Sequence, residues 1–246
     1  MNGTTVDPAE VERFARIADE WWDADGKFAP LHRLNPARIG FVRDCIAARF
    51  GREPLRPAPL AGLRLLDIGC GGGLVCEPMR RLGADVTGID ASDRNVAVAR
   101  VHAERMGLAI DYRADTAEAL RGAGEAFDAV LALEVVEHVA DPDLFLRCCA
   151  DLVKPGGLLI LSTLNRTAKA FALGIVGAEY VLGWLPRGTH DWRKFLKPSE
   201  MARPLRAAGL SVEELAGLVY SPITGRWRVH PHDLDVNYLL VAAKAG

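Results

Sequence analysis

A glycine-rich turn between two short apolar stretches is the feature that most constrains the fold of this chain. Residues 65–68 read LLDI, residues 69–73 contain four glycines, and a second apolar stretch over 86–90 ends in Asp90. A short apolar run bounded by glycines predicts a buried strand, and glycines let the backbone approach a ligand closely because they lack a Cβ atom. The segment therefore predicts two strands of an open α/β sheet, with a nucleotide-binding turn after the first.

The residues around this turn separate two classes of nucleotide. A dinucleotide fingerprint that begins at Gly69 needs a third glycine at position 74, where this chain has Leu74. Asp67 would repel a pyrophosphate but suits a ligand that carries ammonium and sulfonium groups. Asp90 stands where a carboxylate can accept hydrogen bonds from ribose hydroxyls, and Asp115 follows the third predicted strand, where it can meet an adenine amino group. The pattern indicates S-adenosylmethionine as the cofactor.

Each of these features taken alone has a simpler interpretation. A glycine turn after an apolar strand can be a tight connection to a helix, and an aspartate at the end of a strand can be a helix cap. Their order within one strand–helix–strand unit favours the cofactor site.

Length and composition fit a single enzyme domain. The 246 residues include 30 Lys and Arg against 32 Asp and Glu, so the chain lacks the basic footprint of a nucleic-acid-binding protein. The five cysteines form no CxxC pair and are odd in number, which disfavours a disulfide framework and indicates a reducing compartment. Residues 1–10 lack the basic and apolar regions of a secretory signal. We therefore expect a cytoplasmic protein that binds no nucleic acid.

Alternating strand and helix patterns predict a Rossmann-like α/β fold. We expect helices on both faces of a seven-stranded, mostly parallel sheet, with strands over residues 65–68, 85–89, 109–112, 129–133, 158–162, 211–215 and 238–243. Apolar residues recur at helical spacing over 9–22 and from Asn35 to Arg52, which predicts an N-terminal helical extension. The predicted single domain, residues 1–246, divides into a helical cap (1–59), a cofactor-binding core (60–163), an insertion (164–197) and a C-terminal part of the sheet (198–246).

The insertion after the fifth predicted strand is apolar. Between positions 170 and 185 only Glu179 is charged, and basic residues flank the segment on both sides: Arg166, Lys169, Arg187, Arg193 and Lys194. The segment is shorter than the roughly 20 residues that span a bilayer, but it suits an interfacial helix or lid on an anionic membrane surface. A buried helix or a dimer interface is the alternative. We expect residues 166–194 to associate the protein peripherally with the inner membrane.

Several motifs identify a family. The glycine turn, Asp90 and the KPGG turn at 154–157 resemble those of class I S-adenosylmethionine-dependent methyltransferases over residues 60–165. Segments 28–38, 134–139, 162–166, 188–192 and 236–238 resemble, in order and over nearly the whole chain, the O-methyltransferases of ubiquinone biosynthesis. This resemblance implies methylation of polyprenylated catechol intermediates, namely 2-polyprenyl-6-hydroxyphenol and 3-demethylubiquinol. It also implies contact with other enzymes of that pathway.

The resemblance further implies that Arg38, Gly69, Asp90 and Leu133 line the cofactor site. A guanidinium at Arg38 could form a bidentate pair with the carboxylate of the cofactor, a geometry that lysine does not reproduce. An exposed arginine on the surface of a helix is the alternative. Two other functions fit the generic motifs: methylation of another small phenolic or lipid acceptor, and cofactor binding without catalysis.

The segment EVVEH at 134–138 follows the fourth predicted strand, at the sheet edge where open α/β folds bind ligands. A helical turn there would place Glu134, Glu137 and His138 on one face. A catechol hydroxyl has a pKa of roughly 10, so it must lose its proton to attack a methyl group efficiently. His138 with Glu134 could supply acid–base catalysis, or all three side chains could hold Mg²⁺ that lowers the hydroxyl pKa. The residues alone leave both open, together with a purely structural role for His138, and the family resemblance favours the metal.

Overall fold

The computed structural model describes residues 4–173, 175–176, 191–221 and 224–246. Its strands are β1 (Arg64–Ile68), β2 (Asp85–Asp90), β3 (Asp111–Ala114), β4 (Phe127–Leu133), β5 (Val153–Leu164), β6 (Leu210–Ser221), β7 (Arg226–His230) and β8 (Asn237–Lys244). Its helices are α1 (Pro8–Ala15), α2 (Ala29–Arg49), α3 (Cys76–Arg81), α4 (Asp93–Arg105), α5 (Ala117–Gly122), α6 (Pro142–Asp151), α7 (Ala168–Ala170) and α8 (Pro198–Ala207). Short 3₁₀ turns lie at Ala18–Glu20, Val136–His138 and Trp192–Lys194.

All eight strands form one mixed sheet in the order β3-β2-β1-β4-β5-β8-β6-β7. The pairs from β3 to β5 are parallel, and the pairs that involve β8, β6 and β7 are antiparallel. The chain moves outward from β1 to β3 and then returns to place β4 on the other side of β1. Such a reversal of strand order opens a crevice at the carboxyl ends of the strands, where doubly wound folds bind ligands.

Two apolar cores cover the two faces of the sheet. Successive strand residues point to opposite faces, so Leu65 joins a cluster with α2, α3 and α4, whereas Leu66 joins a cluster with α5, α6 and α8. Both leucines are almost completely buried. The central parallel strands β1, β4 and β5 are therefore covered on both faces, as the apolar runs in their sequences predict.

The structure corrects the predicted strand number from seven to eight. The additional strand β7 lies at the edge of the sheet, where Trp227 and Val229 alternate with Arg226 and Arg228. A single short strand of this kind buries only one row of side chains, so its pattern is weak in the sequence. Strand β6 also extends well beyond the predicted residues 211–215 because it pairs with both β7 and β8.

The N-terminal helices differ from the prediction in their bounds. The predicted helix over 9–22 ends at Ala15, and the chain then turns so that Trp21 and Trp22 reach the glycine-rich turn. The Trp22 indole N–H donates to the carbonyl oxygen of Gly72 at 2.9 Å. Helix α2 begins at Ala29, seven residues before Pro36, which it contains.

Much of the predicted insertion helix lies outside the described residues, which omit 174 and 177–190. In the part that is described, Phe171, Leu173 and Val176 are 47%, 55% and 41% exposed. No helix within the described ranges combines the length and hydropathy needed to cross a bilayer.

Candidate active site

One cavity of about 1070 Å³ opens at the carboxyl ends of β1, β2 and β4. Cavities that hold one small ligand are typically about 300–1000 Å³, so this one has room for a cofactor and a second molecule. It brings together all eight predicted site residues: Arg38, Gly69, Asp90, Asp115, Leu133, Glu134, Glu137 and His138. Their shared location is a finding, whereas their individual roles remain predictions.

The glycines of the turn make room for protein side chains as well as for a ligand. Gly69, Gly71 and Gly73 have φ angles of +70°, +53° and +89°, which favour glycine. A Cβ atom at Gly71 would overlap the ring of Trp21, and one at Gly69 would overlap Val135. The expectation that these glycines serve the ligand alone is therefore incomplete.

Asp90 fixes the turn to the start of α4. One carboxylate oxygen accepts from the Gly71 backbone N–H at 3.0 Å, and the other accepts from the Ser92 N–H at 2.8 Å and from the Asn95 amide at 3.1 Å. Burial raises the pKa of Asp90, and these hydrogen bonds oppose the rise. A carboxylate has about four acceptor sites, so capacity for a ligand hydroxyl remains.

Arg38 projects from α2 into the cavity and is only 3% exposed. One guanidinium nitrogen, Nη2, donates to the Asn35 side chain at 2.5 Å, while Nε and Nη1 have no hydrogen-bond partner within the described part of the chain. Burial lowers the pKa of Arg38, and the charges of Glu134 and Asp67 oppose this. Buried donors without partners cost free energy, so this guanidinium fits an anionic ligand group such as the carboxylate of S-adenosylmethionine.

Asp67, the penultimate residue of β1, lines the same cavity and is also 3% exposed. Burial raises its pKa to about 6, although the Cys76 thiol, which donates to it at 3.2 Å, and the Arg38 charge oppose the rise. Asp67 thus carries a proton more readily than an exposed aspartate, and a cationic ligand group nearby would favour its charged form.

Glu134 directly follows β4 with a φ of +59°, an uncommon backbone conformation for a residue with a side chain. Its backbone N–H donates to the Ser162 carbonyl at 3.0 Å, and the Ser162 hydroxyl donates to its carboxylate at 2.7 Å. The helical turn begins only after Glu134, at Val136. The prediction that Glu134, Glu137 and His138 share one helical face is therefore wrong.

Glu137 is 3% exposed and accepts from the Thr163 hydroxyl at 2.9 Å. Burial and the nearby Glu134 carboxylate raise the pKa of Glu137 well above its usual range. Two neighbouring carboxylates in a buried place cannot both ionise easily, and this favours the protonated form of Glu137, which can donate a hydrogen bond.

His138 faces the N-terminal helix. Its Nδ1 atom lies 3.2 Å from a carboxylate oxygen of Glu10 and 3.4 Å from a guanidinium nitrogen of Arg13. The ring of Phe14 meets the imidazole edge to face at 5.2 Å between centroids. Helix α1 therefore covers the imidazole, and only 15% of the His138 side chain is exposed.

The structure does not support the predicted Mg²⁺ site. No group of three or more His, Cys, Asp and Glu side chains that could hold a metal ion exists among the residues it describes. The Glu134 and Glu137 carboxylates are neighbours, but His138 faces Glu10, so the three predicted ligands do not converge on one point. The donor set as arranged does not fit the ion.

The family follows from comparison with known proteins. A family model for a methyltransferase domain matches residues 38–215. The ubiquinone biosynthesis O-methyltransferase of Chelativorans sp. (strain BNC1) is 57% identical over 241 residues, which is 98% of this chain and 95% of the relative. The protein of the same name from Sinorhizobium medicae (strain WSM419) is 55% identical, over 98% of this chain and 97% of its own. This chain belongs to the ubiquinone biosynthesis O-methyltransferases.

Solved structures confirm the predicted class I methyltransferase fold of this O-methyltransferase. A SAM-dependent methyltransferase from Thermotoga maritima superposes with a TM-score of 0.61 at 19% identity, covering 96% of this chain and 99% of that one. The magnesium protoporphyrin IX methyltransferase of Synechocystis PCC 6803, solved with bound SAH, gives a TM-score of 0.60 at 20% identity, covering 94% and 99%.

Apolar side chains line another part of the cavity of this O-methyltransferase. They come from α1, α2, the end of β5, the segment after α7 and the β6–β7 hairpin: Phe14, Leu31, Leu164, Leu173, Leu218 and Trp227. Apolar side chains at the wall of a cavity suit a hydrocarbon substituent of a ligand.

Sequence reasoning missed several residues of the site. Glu10 and Trp21 come from the N-terminal segment, where nothing in the local pattern distinguishes them from ordinary helix residues. Ser162 and Thr163 lie in a segment that carried the family resemblance, but their bonds to Glu134 and Glu137 depend on the pairing of β4 with β5.

Proposed function

We propose that this chain transfers a methyl group from S-adenosylmethionine to a hydroxyl of polyprenylated catechol intermediates of ubiquinone biosynthesis, 2-polyprenyl-6-hydroxyphenol and 3-demethylubiquinol. The observation that carries the proposal is that one cavity contains both a buried guanidinium at Arg38, suited to the cofactor, and an imidazole at His138. Family membership supports the class of acceptor, and the apolar side chains that line the cavity suit a prenyl chain.

The cofactor supplies an electrophilic methyl group on a sulfonium that leaves as a neutral thioether. Arg38 would bind the carboxylate of the cofactor through Nε and Nη1, and Asp67 would balance the ammonium charge. Asp90 would accept hydrogen bonds from the ribose, while Asp115 and Leu133 would contact the adenine end. Gly69 brings the backbone close to the ligand. Holding both reactants in one enclosed site supplies a large part of the rate enhancement.

His138 would act as the general base. Its imidazole would take the hydroxyl proton as the hydroxyl oxygen bonds to the methyl carbon and the carbon–sulfur bond breaks. Glu134 would accept a hydrogen bond from the acceptor, and neutral Glu137 would donate one.

Mg²⁺ bound by Glu134, Glu137 and His138 is a second candidate for activating the hydroxyl, although the observed arrangement does not favour it. The two candidates differ in their response to chelation. Unchanged turnover in excess EDTA fits His138 acting without an ion. Loss of turnover that added Mg²⁺ restores would favour activation by the ion.

Peripheral attachment of residues 166–194 to the cytoplasmic face of the inner membrane is part of the proposal. The exposure of Phe171, Leu173 and Val176 supports it. The basic flanks contribute less than their number suggests, because the described ones are ion-paired within the chain: Arg166 with Glu200, Lys169 with Asp233 and Asp235, Arg193 with Asp191, and Lys194 with Asp7 and Glu10. Apolar contact would therefore dominate. Flotation with anionic liposomes tests this, since F171S/L173S should float less than the wild type.

The principal experiment is mass spectrometry of quinone intermediates in cells that lack the gene, combined with methyl transfer by the purified protein. Accumulation of an unmethylated polyprenyl catechol, and its methylation in vitro, is the expected result. Methylation of a water-soluble phenol in preference to a short-chain prenyl catechol would favour the alternative of another acceptor. Co-purification with other enzymes of ubiquinone biosynthesis tests the expected pathway partners.

A further inference from the structure

We propose that Trp21 is a positioning residue for the cofactor: its indole holds the Asn95 side chain so that the Asp90 carboxylate is presented to the cofactor ribose. The inference rests on the part of the proposed function that places the ribose at Asp90. It adds to the site a segment of the chain that precedes the matched methyltransferase domain at 38–215.

The first support is a chain of hydrogen bonds that ends at Asp90. The Trp21 indole N–H donates to Oδ1 of Asn95 at 3.0 Å, and Nδ2 of Asn95 donates to an Asp90 carboxylate oxygen at 3.1 Å. Trp21 and Asn95 are 74 positions apart in sequence. All three residues line the cavity described above. A residue of the N-terminal segment is therefore linked to the carboxylate at the end of β2.

The second support is the chemistry of the amide between them. An asparagine amide has an acceptor oxygen and a donor nitrogen, whereas an indole N–H can only donate. Trp21 thus holds Oδ1 of Asn95 on its own side, and this directs the amide N–H groups towards Asp90. An amide turned by 180° would place its oxygen against the carboxylate, where two acceptors repel each other. The indole N–H therefore stabilises the amide orientation that binds Asp90.

The third support is that Trp21 also packs against the glycine-rich turn. A Cβ atom at Gly71 would overlap the Trp21 ring, and one at Gly72 would overlap its Cβ and Cγ atoms. The Gly71 N–H donates at 3.0 Å to the Asp90 oxygen that Asn95 does not bind. Trp21 therefore lies against one hydrogen-bond partner of each of the two Asp90 oxygens.

The N-terminal segment keeps other anchors when the indole N–H of Trp21 is removed. Trp22, the next residue, donates from its indole to the Gly72 carbonyl at 2.9 Å and stacks on His102 with 3.5 Å between the ring centroids. The Trp21 ring stacks on Phe28 at 3.7 Å, a contact that a phenylalanine ring can also make. Trp21→Phe is therefore expected to fold and to lose chiefly the donated hydrogen bond.

The test measures the binding of S-adenosylhomocysteine by calorimetry in W21F and in the control W192F. The Trp192 indole N–H donates to the Thr167 carbonyl at 3.0 Å, and Trp192 lies outside the described lining of the cavity. Hydrogen bonds to a charged group contribute about tenfold or more to an equilibrium constant, so misplacing the Asp90 carboxylate should weaken binding in W21F about tenfold. W192F should stay within about twofold of the wild type. Wild-type affinity in W21F would overturn the proposal.

A second ligand shows whether the loss comes from the ribose contact. The probe is the analogue of S-adenosylhomocysteine that lacks both ribose hydroxyls. The wild type should bind this analogue at least about tenfold more weakly than S-adenosylhomocysteine, whereas W21F should bind the two ligands within about threefold of each other. A purely structural role of Trp21 would weaken the binding of both ligands equally, and that result would overturn the proposal.

The variant N95A, alone and combined with W21F, tests whether Trp21 acts through Asn95. Residues that act as one unit give non-additive losses, so W21F/N95A should bind S-adenosylhomocysteine no more weakly than N95A alone. Fully additive losses of affinity would overturn the proposal.

These binding measurements contain no methyl acceptor, so they separate this proposal from the proposed function. If the wild type prefers S-adenosylhomocysteine to the analogue but does not methylate catechols, the proposed acceptor is wrong, while the affinities of W21F still support or overturn the role of Trp21. If the wild type binds both ligands equally well, the ribose contact of Asp90 is wrong, and the role of Trp21 fails with it.

Discussion

The Ser162 hydroxyl donates a 2.7 Å hydrogen bond to the carboxylate of Glu134, across the junction of β4 and β5. The same two residues are joined through their backbones, since the Glu134 N–H donates to the Ser162 carbonyl. These contacts hold Glu134 at a φ of +59°, a conformation that costs a side-chain-bearing residue of the order of 1 kcal/mol or more. Backbone strain of this kind at a cavity wall is typical of functional positions.

Glu134→Gly should lower the activity of the protein without lowering its stability. Glycine adopts a positive φ without steric cost, so the free energy of unfolding should be unchanged or higher by up to about 1 kcal/mol. Turnover should fall at least tenfold, as expected when a group that contacts the acceptor is removed. Thermal melts and methyl-transfer rates check this. Glu134→Gln, which retains the strain, should lose activity without gaining stability, and equal activity in E134G and the wild type would contradict a role for the carboxylate.

The sequence was sufficient to predict the central part of the fold because its signals are local. Strands β1, β4 and β5 each contain a short apolar run, and the glycine turn with Asp67 and Asp90 lies within one strand–helix–strand unit. Contacts that depend on distant pairing were not predictable. Glu10 reaches His138 only because α1 crosses the cavity, and Glu134 lies off the helical face because Ser162 binds it. Edge strand β7 was missed because its two inward residues, Trp227 and Val229, give too short a pattern.

Arg38→Met should weaken cofactor binding and stabilise the protein without ligand. Methionine removes a buried guanidinium whose donors Nε and Nη1 lack partners among the described residues, and replacing a buried charge with a well-packed apolar group is often stabilising by about 1–4 kcal/mol. Isothermal titration should show at least a tenfold loss of S-adenosylmethionine affinity, since a charge-assisted pair is lost. Arg38→Lys should not restore it, because lysine lacks the two-pronged geometry.

The matched control for this prediction is Arg33→Met, on the exposed side of the same helix. It should leave both the melting temperature and the affinity near the wild-type values. An R38M protein that binds the cofactor with wild-type affinity would show that the guanidinium does not hold the carboxylate of the ligand.

Asp67 should make stability depend on pH in the mildly acidic range. Burial raises its pKa from 3.8 to about 6 in the folded protein, so the folded state holds this proton more tightly than the unfolded state. The proton on Asp67 therefore stabilises the folded state fully below pH 3.8. This stabilisation, about 3 kcal/mol for a shift of this size, is lost as the pH rises through about 6. Asp67→Asn should therefore raise the melting temperature relative to wild type at pH 7.5 but not at pH 4.

The same carboxylate should release a proton when the cofactor binds below pH 6. The ammonium and sulfonium of S-adenosylmethionine favour the charged form of Asp67. Titration calorimetry at pH 5.5 in two buffers of different ionisation enthalpy should show this release in the wild type and its absence in D67N. Identical proton release by the two proteins would exclude Asp67 as its source.

Gly71→Ala should be much more destabilising than Gly124→Ala, although both glycines have positive φ angles, +53° and +72°. At Gly124 nothing lies within 4 Å of the added Cβ, so the variant experiences backbone strain of only about 1 kcal/mol. At Gly71 the Cβ would also overlap the Trp21 ring, whose indole N–H donates to Asn95 at 3.0 Å. Displacing this ring should add about 1–3 kcal/mol and disturb Asp90, which Asn95 and Gly71 both bind. Chemical denaturation of the two variants measures the difference in their free energies of unfolding. Equal decreases in G71A and G124A would show that the Trp21 ring moves to accommodate the added methyl group without loss of stability.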